Sequence, residues 1–553
     1  MDPLSSALRR FEPVTRRVGS EVVFWVVALA PVLVVLLLPR VVLQDGGLHL
    51  SAANALSMQL RGELGDVITW RAGLPPNLLS EVALLALLQV LPASWALKVL
   101  VAGILVGFAV AARSVVSATG AAAPWAALLL PFAWNRTLAW GFLDYSAAVV
   151  LSLVAVAVVL RRPDKPPVWG LGLLLTLTWL THLVPTVAAG GVCVLVAVTA
   201  ALGRRQAGQP AAWAAGVGRV LLAGVPALVL TAVFTAANPP GASAPQTETL
   251  TDRFVGVVGM TRADVSTVHA EYTAYRFFAL ALYAAAAVAV LARLRGGWRI
   301  RPADGLLVAA ATGAVLAVLA PEGVDGAGGF LGMRLSLYPS LLLAAWVAGE
   351  LGRTRLTTVR TAVMPLLAGT AATAVALVLV AVRLPAQQNY STAALQVDEL
   401  AECLPEQGTV LDIYLDDAQD QAARMYPYDG ITGFAETDRD TLNMNNEAGW
   451  VPYYLWRYQD SQRPDTQIGT ERGGVLNAPP RIDLAGALDR GVRIDAVLVI
   501  GRPTAGPETL ADEPTRQTLT DLQERFTPAR TSTAGTAEVW LPRGQSTTYG
   551  SER

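Results

Sequence analysis

The sequence predicts an α-helical polytopic membrane protein carrying a C-terminal α/β domain outside the membrane, and three observations lead there. Of its 553 residues 53% are hydrophobic and 15% charged, with a mean hydropathy of +0.44. The apolar residues fall in blocks of spanning length separated by short polar loops. After Arg383 the blocks stop and a polar mixture with ordinary secondary-structure periods takes over.

Composition narrows the function classes. A net charge of -1 gives no footprint for nucleic acid. Lys98 and Lys165 are the only lysines among 42 basic residues, which with the abundant Ala, Val and Gly indicates a GC-rich bacterial genome rather than a function. Cys193 sits in an apolar run and Cys403 in the polar C-terminal region, and there is no CxxC, so neither a disulfide framework nor a thiolate metal site follows. Arg9, Arg10, Arg16 and Arg17 followed by an apolar run resemble a signal peptide. That run is too long, lacks a small-residue cleavage site and is followed by many more, so it is expected to stay as the first membrane helix.

A span needs roughly 20 apolar residues, and arginine-rich loops face the cytoplasm. Spans are expected at 21–43, 95–113, 118–135, 138–160, 168–181, 182–202, 214–237, 274–294, 303–320, 333–350 and 361–383. Arginines at the N-terminus, at 161–162 (with Lys165), 204–205 and 219, 293–301 and 353–360 then lie inside. The chain must cross and return between Arg162 and Arg204, turning near Thr181 to Pro185 and placing His182 outside. Segment 77–91 follows Pro75-Pro76 and contains Glu81. It reads as re-entrant or lying at the surface, because counting it as a span would reverse the sign of every later loop. About eleven transmembrane helices leave the N-terminus cytoplasmic and the C-terminus outside the bacterial plasma membrane.

The division is a transmembrane domain over 1–385, with outer loops 44–94 and 238–273, and an extracytoplasmic α/β domain over 386–553. Within the latter Ser391 to Leu404 reads as an amphipathic helix and Thr518 to Phe526 as another. Thr409 to Leu415, Asp495 to Ile500 and Ala537 to Leu541 read as strands, and Tyr426 to Pro480 as largely loop. No GxGxxG, Walker A, GxSxG or HExxH motif occurs, and no internal repeat.

With this topology the conspicuous polar residues gather outside. Gln44-Asp45-Gly46-Gly47-Leu48-His49 opens the first outer loop. If helix begins near Gly46, Asp45 and His49 share a face one turn apart, so the acid can orient or charge the imidazole, or both can hold a divalent cation. Equally, Asp45 can be the N-cap of that helix. Asp144 has apolar residues on both sides and needs a partner or a wet cavity. Trp134, Arg136 and Trp140 read as an interfacial aromatic belt with a snorkelling arginine. Arg334 follows the glycine-rich 323–332 and is either an ordinary interfacial arginine or a grip for an anionic head group. Asp412, Asp416 and Asp417 cluster at a strand end, where solvation is the common explanation.

The order of these features resembles a known group. Asp45 and His49 after the first helix, Leu74-Pro75-Pro76-Asn77-Leu78, Trp134-Asn135-Arg136, Trp140-Gly141-Phe142-Leu143-Asp144-Tyr145, His182 and Pro321-Glu322-Gly323 leading to Arg334 are similar to poorly characterised bacterial membrane proteins that look like distant GT-C superfamily glycosyltransferases. That resemblance implies transfer of a sugar from a polyprenyl-phosphate donor to a glycan or protein acceptor on the extracytoplasmic side. It makes Asp45 the general base, with His49 and Asp144 beside the chemistry, and gives Arg334 or Arg136 the carrier phosphate, with His182 and Glu322 completing the substrate contacts. The group usually has Asn where this chain has Asp144. A lipid or glycan transporter or flippase would instead show ionisable residues near the bilayer midplane and inverted repeats. A non-catalytic envelope scaffold would survive loss of Asp45.

Overall fold

The computed structural model describes residues 21–209, 213–239, 241, 248–265, 268–321, 323, 329–353, 359–415, 430–449, 451–464, 482–501 and 513–544. The chain forms two compact units. One comprises Met1–Val35, Val101–Thr137 and Tyr145–Arg383; the other comprises Leu36–Leu100, Leu138–Asp144 and Leu384–Arg553.

The protein is mostly helical, with several apolar spans. Among the described residues seven helices are long and apolar enough to cross a membrane: Ala93–Ala118, Leu143–Arg161, Leu183–Gln206, Ala215–Ala237, His269–Arg295, Leu331–Arg353 and Ala368–Cys403. Shorter apolar helices occupy Glu21–Leu37, Leu79–Leu88, Ala123–Phe132, Val168–Thr181 and Asp304–Leu319. Each expected span falls on one of these helices, those at 21–43, 118–135, 168–181 and 303–320 on shorter ones. Pro39 explains the first, since the helix stops at Leu37 before a residue that cannot continue it. Over 118–135 the structure departs from expectation: Ala123–Phe132 is a 3-10 helix with Pro131 inside it. Ten such residues rise only about 20 Å, short of the ~30 Å hydrocarbon core. Leu79–Leu88, at ~15 Å, is also too short to cross, in keeping with its reading as a non-spanning segment.

The first unit is tied by buried ion pairs near helix ends. Glu271, in the first turn of His269–Arg295, accepts from the Val265 N–H at 2.7 Å and pairs with Arg383, which also donates to the Trp134 carbonyl. Asp304, opening Asp304–Leu319, pairs with Arg293 and accepts from Trp346 Nε1 at 3.1 Å, while Arg301 and Arg353 reach Glu350 at 3.1 and 2.8 Å. Arg293, expected at the inner end of a span, is buried.

The second unit holds a five-stranded mixed sheet in the order β3-β2-β5-β7-β6, with β2 Thr409–Tyr414, β3 Leu442–Asn443, β5 Ala496–Ile500, β6 Phe526–Thr531 and β7 Ala537–Pro542. Strand β2 runs parallel to β3 and β5, and β7 antiparallel to β5 and β6. A separate two-stranded ribbon pairs β1 Ile68–Trp70 with β4 Trp456–Tyr458. The core of this unit includes Ile68, Leu411, Ile413, Trp456, Val497, Val499, Leu522 and Trp540. Strands β2, β5 and β7 lie where expected. The amphipathic helix expected at Ser391 is instead the end of one helix, Val359–Asp398, which continues through Pro385. Its last turns are fixed by tertiary contacts: the Arg40 N–H donates to Ser391 Oγ at 2.9 Å, and Arg40 Nε lies 2.6 Å from Asp398 Oδ2.

Candidate active site

The Asp45 loop belongs to the second unit and is fixed through its backbone. The N–H groups of Gln44 and Asp45 donate to the carbonyls of Ala139 and Trp140 at 3.2 and 3.0 Å. Gly141, at φ +81°, lies so close beneath that a β-carbon there would sit 2.7 Å from the Asp45 nitrogen. Only glycine accepts both that φ and that approach. Helix Gly46–Leu60 begins just after Asp45, as expected, and the His49 N–H donates to the Asp45 carbonyl at 3.0 Å. Although Asp45 occupies the N-cap position, its side chain makes no cap bond, so the capping reading is overturned.

The His49 imidazole is held by its surroundings. His49 is buried, its ring is bonded to the Gly141 carbonyl, and Nδ1 has no hydrogen-bond partner. Burial lowers its pKa to about 4, so the ring is neutral at physiological pH and can neither carry a charge nor act as a general acid there. Among the described residues no group of three or more His, Cys, Asp or Glu side chains could hold a metal ion.

Asp144, expected near the chemistry, has a structural partner. Its Oδ1 accepts from the Ser80 N–H at 3.0 Å, capping the N-terminal turn of Leu79–Leu88 from another part of the chain. The adjoining Glu81 is fully buried against Leu455 and Trp456; burial and the neighbouring Asp144 raise its pKa well above the carboxylate range. Glu81 was visible in the sequence as the one acid of that apolar segment.

In the first unit Arg136 does not snorkel. Its Nε donates to the Asp264 carbonyl at 2.7 Å, its Nη2 to the Thr261 carbonyl at 3.2 Å, and the guanidinium pairs with the Asp264 carboxylate. Its guanidinium is thus engaged within the first unit, chiefly by Asp264. Trp134 is buried, not part of an interfacial belt. His182 and Arg334, by contrast, come together. His182 is the extended residue between Val168–Thr181 and Leu183–Gln206, and its Nδ1 accepts from the Val184 N–H at 3.2 Å. Its ring meets Tyr145 edge-on at 5.5 Å, and the Tyr145 hydroxyl donates to the Arg334 carbonyl. Tyr338, one turn after half-buried Arg334, donates to Ser152 Oγ at 3.3 Å. Tyr145 escaped notice because only its neighbour Asp144 is charged.

Glu322, Asp416 and Asp417 lie outside the described residues. Asp412 is not solvated at a strand end but wholly buried within β2, where every side chain is buried. Its Oδ2 accepts from Thr432 Oγ1 at 2.7 Å, Asn443 Nδ2 at 2.8 Å and the Tyr414 hydroxyl at 3.2 Å. Asn443 Nδ2 also reaches Glu436 Oε1 at 2.8 Å, and Glu436 is buried beside Asp412. Burial raises both acids, Glu436 further through the Asp412 charge. Acids raised in the folded state contribute stability that is complete below the ordinary carboxylate range and lost as pH climbs through the folded values. Glu436→Gln, which mimics the protonated acid, is expected to raise the melting temperature at about pH 8 and to give no gain near pH 4. An equal effect at both pH values would contradict this.

No protein-family model and no curated protein matches the chain. Among solved structures it is similar to the crystal structure of ArnT from Cupriavidus metallidurans in the apo state, at 15% identity and a TM-score of 0.47, over 95% of this chain and 98% of that one. It is also similar to the crystal structure of the same protein bound to undecaprenyl phosphate, at 13% identity and a TM-score of 0.48, over 96% of this chain and 98% of that one.

Proposed function

We propose that the chain is a GT-C-type membrane glycosyltransferase that moves a sugar from a polyprenyl-phosphate donor to an extracytoplasmic acceptor, a cell-envelope glycan or an exported protein. The observation that carries this reading is the Asp45 loop: a carboxylate held in a fixed backbone frame just before helix Gly46–Leu60 without a side-chain cap bond to it. In this reading Asp45 takes the proton from the acceptor hydroxyl as its oxygen attacks the anomeric carbon. The bond from that carbon to the carrier phosphate breaks with inversion, and its electron pair leaves with the phosphate. A phosphate leaving group needs little acid help, so one base and one cation suffice. Arg334, with Tyr145 and His182 around it, is assigned to the phosphate. Arginine placement supports a cytoplasmic N-terminus and an extracytoplasmic C-terminal region.

Transport is the weaker reading. It calls for ionisable groups near the bilayer midplane, whereas Glu271, Asp304 and Arg353 occupy first or last helical turns. The donor assignment is tested by titrating undecaprenyl phosphate into the purified protein in nanodiscs, followed by native mass spectrometry. Arg334→Lys keeps the charge but loses the planar fork, and is expected to bind about tenfold more weakly. Failure of the unaltered protein to bind would reject the donor class; equal binding by both proteins would remove a bidentate contact from Arg334.

A further inference from the structure

The mixed sheet, the 430–433 turn and the Asp45 loop lie in the same compact unit, and the turn touches the loop through glycines. A β-carbon at Gly47 would fall 1.5 Å from the Gly430 carbonyl oxygen, and one at Gly433 would fall 2.1 Å from the Gly47 carbonyl oxygen. Gly430, at φ +85°, also lies against the Gln44 carbonyl and the Leu48 nitrogen, where a β-carbon would stand at 3.0 and 3.1 Å. Asn446 Nδ2 adds a hydrogen bond to the Leu48 carbonyl at 2.9 Å. The 430–433 turn is in turn held from the middle of β2. Thr432 Oγ1 donates to Asp412 Oδ2 at 2.7 Å. The Tyr414 hydroxyl accepts from the Gly430 N–H at 3.4 Å and donates to that same carboxylate oxygen at 3.2 Å. One buried oxygen thus anchors the turn by two routes.

We infer that Asp412, acting through Thr432 and Tyr414 on the Gly430–Gly433 turn, positions the Asp45 loop. This deepens the proposed function and rests on it for the role of Asp45, though the contact itself is independent of that role. Gly47, the second glycine after Asp45, then has a concrete purpose. It lets two backbones meet with no side chain between them, so a displacement of the turn is transmitted to the Asp45 loop instead of being absorbed by a rotamer change. Asp412 is a positioning residue here: it lies one turn of chain and one glycine contact away from the carboxylate it holds in place.

The test is amide hydrogen exchange on the full-length protein in nanodiscs, read over residues 44–50, whose N–H groups report the loop directly. Thr432→Val removes the hydroxyl while keeping the side-chain shape; Thr432→Ser restores it. Thr432→Val is expected to speed exchange over 44–50 on the order of tenfold, the scale of one lost buried hydrogen bond, with Thr432→Ser matching the unaltered protein. Gly433→Ala should speed it further, because backbone must shift. Exchange over β7, in the same sheet, should stay unchanged in the threonine variants. Unchanged exchange over 44–50 in both Thr432→Val and Gly433→Ala would overturn the inference, as would an equal rise over β7, which would mark general loosening. Exchange needs no turnover, so a fully active Asp45→Asn would reject the base while leaving this result standing.

Discussion

Asp45→Asn is expected to yield a folded protein whose turnover is lower by on the order of 10²-fold or more, the scale of a positioned general base. The structure sharpens this expectation. Were Asp45 capping helix Gly46–Leu60, asparagine would substitute nearly as well and activity would persist. Its side chain makes no such cap, and the loop is held by backbone bonds to Ala139 and Trp140 that the substitution leaves in place. The variant should therefore remain folded, with the loop's backbone bonds intact. His49 offers no substitute base, being buried with its ring committed to the Gly141 carbonyl. The measurement is transfer from a polyprenyl-phosphate sugar in proteoliposomes, with the melting temperature recorded alongside. Near-normal turnover would reject the assignment.

What was legible in the sequence follows what is locally determined. Membrane helices announce themselves because the bilayer demands long apolar runs whatever surrounds them. Strands β2, β5 and β7 are nearly fully buried and read as apolar stretches. Strand β6 does not: it lies at the sheet edge, mostly exposed, with Pro528 in its midst. The helix running through Pro385 was read as two because proline and the polar residues after it are the usual signs of a break. Contacts of Arg40 with Ser391 and Asp398, more than 350 residues apart in sequence, override those signs.

The site divides the same way. Asp45 stood out as an acid where an apolar helix ends, and His182 and Arg334 as rare polar residues at span ends. The partners deciding what each can do are remote. Arg136 is claimed by Asp264, Asp144 by the Ser80 N–H, and the Asp45 loop by glycines at 141, 430 and 433. A carboxylate in the wholly buried strand of Asp412 was a readable clue to an internal role, but its partners Thr432 and Asn443 lie in the segment read as loop.

Glu271→Leu is expected to be the most damaging single change to stability, costing about 3 to 5 kcal/mol in the melting of the detergent-solubilised protein. Glu271 and Arg383 are buried together in the first unit, and the carboxylate also accepts the Val265 N–H at 2.7 Å. Removing the acid strands two donors, and one of them is a guanidinium that stays charged at every accessible pH. The Trp134 carbonyl and Tyr275 hydroxyl remain as Arg383 partners, but neither is anionic. Arg383→Met should cost less, because the acid it leaves behind can take up a proton and lose its charge, while methionine fills much of the vacated volume. Adding Arg383→Met to Glu271→Leu should then recover part of the loss, since an apolar replacement of a buried pair is often close to neutral. The order of melting temperatures is therefore the unaltered protein first, then Arg383→Met and the double variant, with Glu271→Leu lowest. Finding Arg383→Met below Glu271→Leu would show that the pair is not what holds this end of the helices together.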